Sequence, residues 1–421
     1  MAEKIRFVVL GGSSVASPAL IDALLRSAGQ RPPIEVVLHG RTRHKLKMVG
    51  GICQQMAHER PGDLDVGYTT DLEEALKGAD YILNQIRVGG LEARAFDETF
   101  PHEFGIPGEE TIGPGGFNNA LRTIPVVLEW CQVIERVAPD ALMLNLTNPS
   151  SVVQYAVTRY SKVRVIGICN TPLDLSNYVA KVLDVGLEQL SLDYVGMHHF
   201  GFITGARRDG QDMMAQVLER VAEFPELGID IEIIQALGAV PCPYLRYFFH
   251  PDRMLARQQG QPARAEQLLE LQDSILTEYA HWTGGQKPEA LAKRGANWYE
   301  KIIVPVLLAL VNDTRERIIV NVVNERTMPF LPEHAVVETA CIVGADGAMP
   351  MDIGVAPADV RVMIQLNCTY EMLAAEGIAE CDRKKALRAL LLSPLVPNAD
   401  VAQAIMEHIW PEGEQGESQL W

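Results

Sequence analysis

A glycine-bearing turn at the end of the first apolar run constrains this chain more than any other segment. Ile5–Leu10 (IRFVVL) passes straight into Gly11-Gly12-Ser13-Ser14, and helical periodicity follows over 19–27. A turn of this kind, between a buried strand and a helix, lets backbone N–H groups approach a pyrophosphate at the helix N-terminus. The full Gly-x-Gly-x-x-Gly pattern is not met, so the turn taken alone also suits a plain strand–helix connection. The alternation that follows favours the dinucleotide reading. Strands are predicted at 34–38, 66–69, 79–85, 141–146 and 163–169, with helices at 45–58, 72–77 and 118–137. Such an order gives a parallel sheet with helices on both faces and right-handed crossovers.

Beyond residue 170 the pattern changes. Antiparallel strands are predicted over 190–204, helices at 263–279 and 300–312, further strands at 318–323 and 335–342, and a polar, frayed tail at 413–421. No Pro/Gly/Ser linker separates the halves. The fold class is therefore α/β: a Rossmann-like dinucleotide-binding domain over 1–170 fused to an α+β domain over 171–421. The second domain would carry substrate, metal and oligomer contacts, with a cleft between the two.

Composition removes several function classes. Hydrophobic residues make up 48% and charged residues 22%, without a repeat period, which excludes disorder, collagen and coiled coil. The net charge of −17 opposes a phosphate backbone, so no nucleic-acid partner is expected, although a local group of Arg could still hold a small anion. The seven cysteines, none in a CxxC pair, suit a reducing, cytoplasmic setting. The N-terminus lacks a signal-peptide layout, and no run of 18 apolar residues exists, so no membrane span is expected.

Polar segments cluster just after predicted strands, where open α/β sheets bind ligands. They are 84–90 (NQIRVGG) with Arg94 beyond, 108–111 (GEET) leading to 113–116 (GPGG), and 145–149 (NLTNP). At the end of the second strand an acid ordinarily binds the adenosine ribose, but the chain reads Leu38-His39-Gly40-Arg41-Thr42-Arg43. An Arg there accommodates the 2′-phosphate of NADP, or it belongs to a solvated basic turn; both readings stand. Cys169 ends one strand and His198-His199 follow another. Neighbouring side chains on a strand point to opposite faces, so one His alone should face a site. Cys plus one His is too few for a closed zinc site and suits an open catalytic metal; a thiol ending a buried strand is also ordinary core. Tyr244, within Pro241-Cys242-Pro243-Tyr244-Leu245-Arg246-Tyr247, could act as a base only if nearby positive charge lowers its pKa; otherwise the segment is an aromatic turn at a domain interface.

Taken together, the segments GGSSVASP, RVGGLEAR, GEETIGPGGFNNALRTIP, NLTNPSSVV, GICNTP, GMHHFG, PYLRY and VNVVNE resemble glycoside hydrolase family 4. These are NAD- and metal-dependent glycosidases related in fold to lactate and malate dehydrogenases. The family is an exception to two-carboxylate glycoside hydrolysis. What the resemblance implies is a redox route: hydride passes from C3 of the sugar to NAD⁺, a Tyr removes the now acidic C2 proton, and a metal holds the 2- and 3-oxygens. The C1 substituent is then eliminated, water adds, and the hydride returns. On the same basis Cys169 and His199 are the metal ligands, with Mn²⁺ the divalent ion the resemblance implies, and Tyr244 is the C2 base with Glu110 near the reacting centre. Gly11, Gly12, Ser13, Ser14, Arg41 and Asn148 would contact the cofactor. Asn148, Asn170, Arg87, Arg94 and Arg264 would contact substrate, the three Arg taking a sugar 6-phosphate.

Asn170 stands where α-specific members carry Asp, which resembles the 6-phospho-β-glucosidases. The implied substrate is a β-linked, 6-phosphorylated glucoside or disaccharide, and the implied assembly a homodimer or homotetramer. Three positions depart from the family pattern: Ser13 replaces a Gly, His39 replaces the ribose acid, and His198 replaces an Asn before the metal His. The first leaves the pyrophosphate approach altered, the second leaves NAD or NADP open, and the third leaves His198 or His199 as the ligand. Two other classes remain at this stage. A 2-hydroxy-acid dehydrogenase would accumulate NADH, and a non-catalytic nucleotide-binding relative would bind cofactor without turnover.

Overall fold

In the first strand alternate side chains serve two different cores. Phe7 and Val9 enter one apolar cluster, Val8 and Leu10 the other, and all four are fully buried. That burial on both faces is what a central parallel strand requires. The computed structural model describes residues 4–60, 63–284 and 289–411. Among these, the strands are β1 (Ile5–Leu10), β2 (Ile34–His39), β3 (Leu64–Thr69), β4 (Tyr81–Asn84), β5 (Leu142–Asn145), β6 (Arg164–Gly167), β7 (Leu190–Met197), β8 (Phe200–Arg208), β9 (Gln211–Asp212), β10 (Val240–Pro241), β11 (Glu316–Val323), β12 (Val336–Gly344) and β13 (Gly347–Pro350).

They form one sheet, ordered β10-β8-β7-β12-β11-β6-β5-β4-β1-β2-β3, with β13 on β12 and β9 on β8. From β3 to β6 every pairing is parallel, in the order of a dinucleotide-binding fold. From β6 onward every pairing is antiparallel. The sheet thus runs across residue 170 without a break. The α/β class and the parallel-to-antiparallel change stand as read from the sequence.

Several elements differ from that reading. The helix expected from 118 begins earlier, so that 113–116 is the first turn of the helix Gly113–Val137. Its glycines are there for close approach: a Cβ on Gly115 would lie 2.3 Å from the carbonyl oxygens of both Asp97 and Glu109. The helix expected at 300–312 is a π-helical turn, Tyr299–Ile303, followed by Val304–Asn312. Three helices beyond residue 350 were not anticipated: Ala358–Ala379, Arg383–Leu392 and Ala399–Ile409. Two of them carry plain start signals, with Asp382 accepting from the N–H of Lys384 and Lys385, and Asn398 from that of Val401. The tail at 413–421 lies outside the described residues.

The helix Ala358–Ala379 buries Glu371, whose Oε1 accepts from Asn367 Nδ2 at 2.9 Å. Burial outweighs its hydrogen bonds and pushes this carboxyl from 4.5 up to about 8. The folded chain therefore holds the proton more tightly than the unfolded one. That stabilisation is complete below pH 4.5 and is lost as pH rises through about 8. Glu371→Gln should remove this loss, a few kcal/mol across the window, as read by denaturant unfolding at pH values on either side of it. Parallel pH profiles for wild type and variant would contradict the assignment.

Candidate active site

A cavity of about 560 Å³ opens at the C-terminal ends of β1, β2, β4, β5 and β6, over the switch point where β1 lies between β2 and β4. Its size suits a small-molecule ligand. Gly11 forms its floor with φ +85°, and a Cβ there would stand 2.8 Å from the Gln85 carbonyl oxygen. Ser13 and Ser14 line the cavity. Gly12 does not; its N–H donates to the His39 carbonyl at 2.7 Å and so shapes the turn from behind. Arg41 lines the mouth beside Lys45. His39 is buried edge-on against Trp130, with Nδ1 unpartnered. Burial holds its pKa below the usual value.

Arg87, Arg94 and Glu110 all line the same cavity and bind one another. Arg87 pairs with Glu110, and Arg94 reaches Glu110 at 2.8 Å and Glu98 at 2.6 Å. Burial alone would raise the Glu110 carboxyl, but Arg87 and Arg94 outweigh it and hold it below the ordinary carboxylate range. Burial, with Glu110 beside it, pushes Glu109 up to about 7. The helix Gly113–Val137 secures these loops. Asn119 Nδ2 donates to the carbonyls of Glu110 and Asn148, at 3.0 and 3.1 Å. Arg122 binds both oxygens of buried Asp97 and the Val88 carbonyl. Arg264 is not brought to the cavity: it is exposed at the start of the helix Arg264–Ala280 and donates to Gln267.

The thiol–imidazole group sits behind Tyr244. Cys169, His198 and His199 are buried, and their ligand-type atoms lie within 4.8 Å of one another. The expectation that one His alone faces the site is overturned. The pair lies not on a strand but in the turn between β7 and β8, where His199 takes φ +61°. The alternation of a strand does not apply there, and the two rings stack at 3.8 Å. His199 in turn stacks on Tyr244, 3.6 Å between centroids and 8° from parallel. Cys169 and the His pair follow strands of opposite direction, because the pairings make β7 run opposite to β6. They meet across a laterally paired row, Gly167–Asn321–Glu338–Gly196.

Burial, then the charge of His198, keeps His199 well below the usual pKa. Burial opposes a proton on His198, but Cys169 and Glu338 outweigh it, to about 9. Tyr244 lines the cavity, and burial, then Glu109, raises its hydroxyl well above the usual value. The lowering that a phenolate base needs is thus not supplied by the chain's own groups.

The profile described as "Family 4 glycosyl hydrolase" matches residues 4–185, and "Family 4 glycosyl hydrolase C-terminal domain" matches 194–396. The chain is 32% identical over 426 residues to the "Probable 6-phospho-beta-glucosidase" of Bacillus subtilis (strain 168), covering 97% of this chain and 96% of that protein. It belongs to glycosyl hydrolase family 4. Among solved family 4 structures, the Thermotoga maritima 6-phospho-β-glucosidase with manganese, NAD⁺ and glucose-6-phosphate aligns with TM-score 0.86 at 28% identity, over 96% of this chain and 97% of that one. A 6-phospho-α-glucosidase from gut microorganisms, in complex with NAD and Mn²⁺, aligns with TM-score 0.87 at 25% identity, over 97% of each chain.

In this family 4 hydrolase the donor set fits a divalent ion, since one thiol and two imidazoles, all buried, bring ligand-type atoms within 4.8 Å of one another. Asn148 and Asn170 both line the cavity; Asn148 Oδ1 lies 3.0 Å from His198 Nε2, and Asn170 donates to Asp174 at 2.7 Å. Residues not singled out from sequence complete the site. Glu338 accepts from Tyr194 Oη at 2.5 Å and Asn321 Nδ2 at 3.1 Å, and lies 3.7 Å from His198 Nδ1. Its signal was a lone acid within the apolar strand β12. Arg294 and Tyr299 line the far wall, where Tyr299 donates to Gln85 at 2.8 Å.

Arg94 is committed to two buried carboxylates, so its first role is to neutralise them. Arg94→Met should destabilise the fold by about 3 kcal/mol, the cost of leaving buried carboxylates short of a partner. Denaturant unfolding measures it; a variant as stable as wild type would mean that the guanidinium is held for ligand instead.

Proposed function

We propose that this chain hydrolyses 6-phospho-β-glucosides through a redox elimination–addition route that uses NAD⁺ and a divalent metal ion. The observation that carries the reading is the parallel stack of Tyr244 on His199, which joins the Cys169–His198–His199 group to the cavity reached by the Gly11–Ser14 turn. A net dehydrogenase would have no use for a Tyr seated against a thiol–imidazole cluster. Manganese and NAD in the relatives' structures support the same cofactors here.

When bound, NAD⁺ supplies a hydride acceptor at C3 and the cation supplies positive charge beside the sugar oxygens. The chain's own residues do the rest. Backbone N–H groups at the Gly11–Ser14 turn would receive the pyrophosphate. Cys169 and His199 would hold the cation. Tyr244, facing the cavity from its stack, would take the C2 proton once its hydroxyl is drawn down by that charge. Arg87, with its side chain 30% exposed beside Glu110, would meet the 6-phosphate more readily than Arg94 at 13%. The β preference is supported by Asn170, which lines the cavity and cannot deliver a proton to a leaving group as an acid would.

Aryl 6-phospho-β-glucoside should be cleaved only with both NAD⁺ and a divalent metal ion present, without net NADH, and faster than the α anomer. Cleavage lacking either requirement, or NADH accumulating with product, would sink the reading. Tyr244→Phe should cut turnover by about 100-fold or more while NAD⁺ affinity stays put; if both fall together, Tyr244 is structural.

A further inference from the structure

We propose that His198 is a third protein ligand at the Cys169–His199 site, and that the resulting thiolate–bis-imidazole set selects Zn²⁺ or Co²⁺ over Mn²⁺. This rests on the metal-dependent reading above and deepens it.

The hydrogen bonds fix which nitrogens are free. Asn148 Oδ1 lies 3.0 Å from His198 Nε2 and can only accept, so Nε2 is the nitrogen that donates, and Nδ1 is the one left for a cation, which would replace any proton there. That Nδ1 belongs to a side chain 4% exposed and has no hydrogen-bond partner. Its nearest carboxylate, Glu338, is 3.7 Å away and already engaged by Tyr194 and Asn321. Thr111 Oγ1 donates to Glu109, so it accepts from His199 Nδ1 at 2.9 Å and leaves Nε2 of that ring as the nitrogen with the free lone pair. Each imidazole is thus oriented by a second hydrogen bond, as ligating histidines are. Cys169 Sγ completes a group in which one ligand-type atom of each residue lies within 4.8 Å of the others.

Three such donors leave one open position in a tetrahedral shell, the layout of a catalytic zinc site. Thiolate and imidazole favour the later first-row ions, whereas Mn²⁺ binds weakest in that series and favours oxygen ligands.

The test uses reduced, chelator-stripped full-length protein, without cofactor or substrate, titrated with each metal alone. Co²⁺ should give a thiolate charge-transfer band in the near ultraviolet and the strong visible bands of a four-coordinate ion. Zn²⁺ should displace it, and Mn²⁺ should bind at least about 100-fold more weakly than Zn²⁺. His198→Asn should cost at least about tenfold in Zn²⁺ affinity and narrow the preference over Mn²⁺. X-ray absorption of the Zn²⁺-loaded wild type should count one sulfur and two imidazoles, a readout that needs no variant. One imidazole in that count, equal Zn²⁺ affinity in His198→Asn, or Mn²⁺ binding as tightly as Zn²⁺ would overturn the proposal. Glycoside cleavage with a one-imidazole site would sink this inference and spare the function; a two-imidazole site in a protein that cleaves no glycoside would do the reverse.

Discussion

One backbone pairing, Gly167 of β6 against Asn321 of β11, joins the parallel half of the sheet to the antiparallel half. The contact is tight: a Cβ on Gly167 would fall 2.3 Å from Gln154 Oε1 and 2.8 Å from Asn321 Cβ. Two residues past Gly167 the chain presents Cys169, and two past Gly196, on the same paired row, it presents His198. The thiol and the imidazoles come from strands that run in opposite directions. Their meeting depends on this row holding its register. Asn321 and Glu338, both buried within it, tie the backbone pairing to the side-chain network around His198.

The electrostatics of the site run against those of the surface. The chain carries −17 overall, yet Arg41, Lys45, Arg87, Arg94 and Arg294 all line the cavity. Buried carboxylates keep part of that charge local. Glu110 binds Arg87 and Arg94, and Asp97 binds Arg122, so the loops that line the cavity are fixed by ion pairs whose breaking would strand a charge. A cavity built this way can receive a phosphorylated ligand inside an acidic protein, because the field at short range is set by the lining and the distant charges are screened.

Much of this was legible in the sequence, for identifiable reasons. The strand β1 and its glycine turn and the alternation to β6 rest on local signals, namely apolar period and turn residues, whereas the roles given to Cys169, Tyr244, Asn148 and Glu110 came with the family resemblance. Geometry that depends on partners distant in the chain was not legible. A strand rule assigned His198 and His199 to opposite faces, but they lie in a turn where His199 takes φ +61°. The resemblance grouped Arg264 with Arg87 and Arg94, and the fold leaves it exposed. The helix expected from 118 opens at Gly113, and its Gly115 is required by the carbonyls of Asp97 and Glu109 packed against it. The long C-terminal helices were missed although Asp382 and Asn398 mark their starts.

The central claim is that the glycosidic bond breaks after the C2 proton is removed, and the isotopic fate of that carbon tests it most directly. Hydrolysis of an aryl 6-phospho-β-glucoside in D₂O, followed by mass and NMR analysis of the sugar phosphate released, reads it in one step. The account predicts deuterium at C2 of the product. Product formed at a comparable rate with only protium at C2 would contradict it and point to direct displacement at C1.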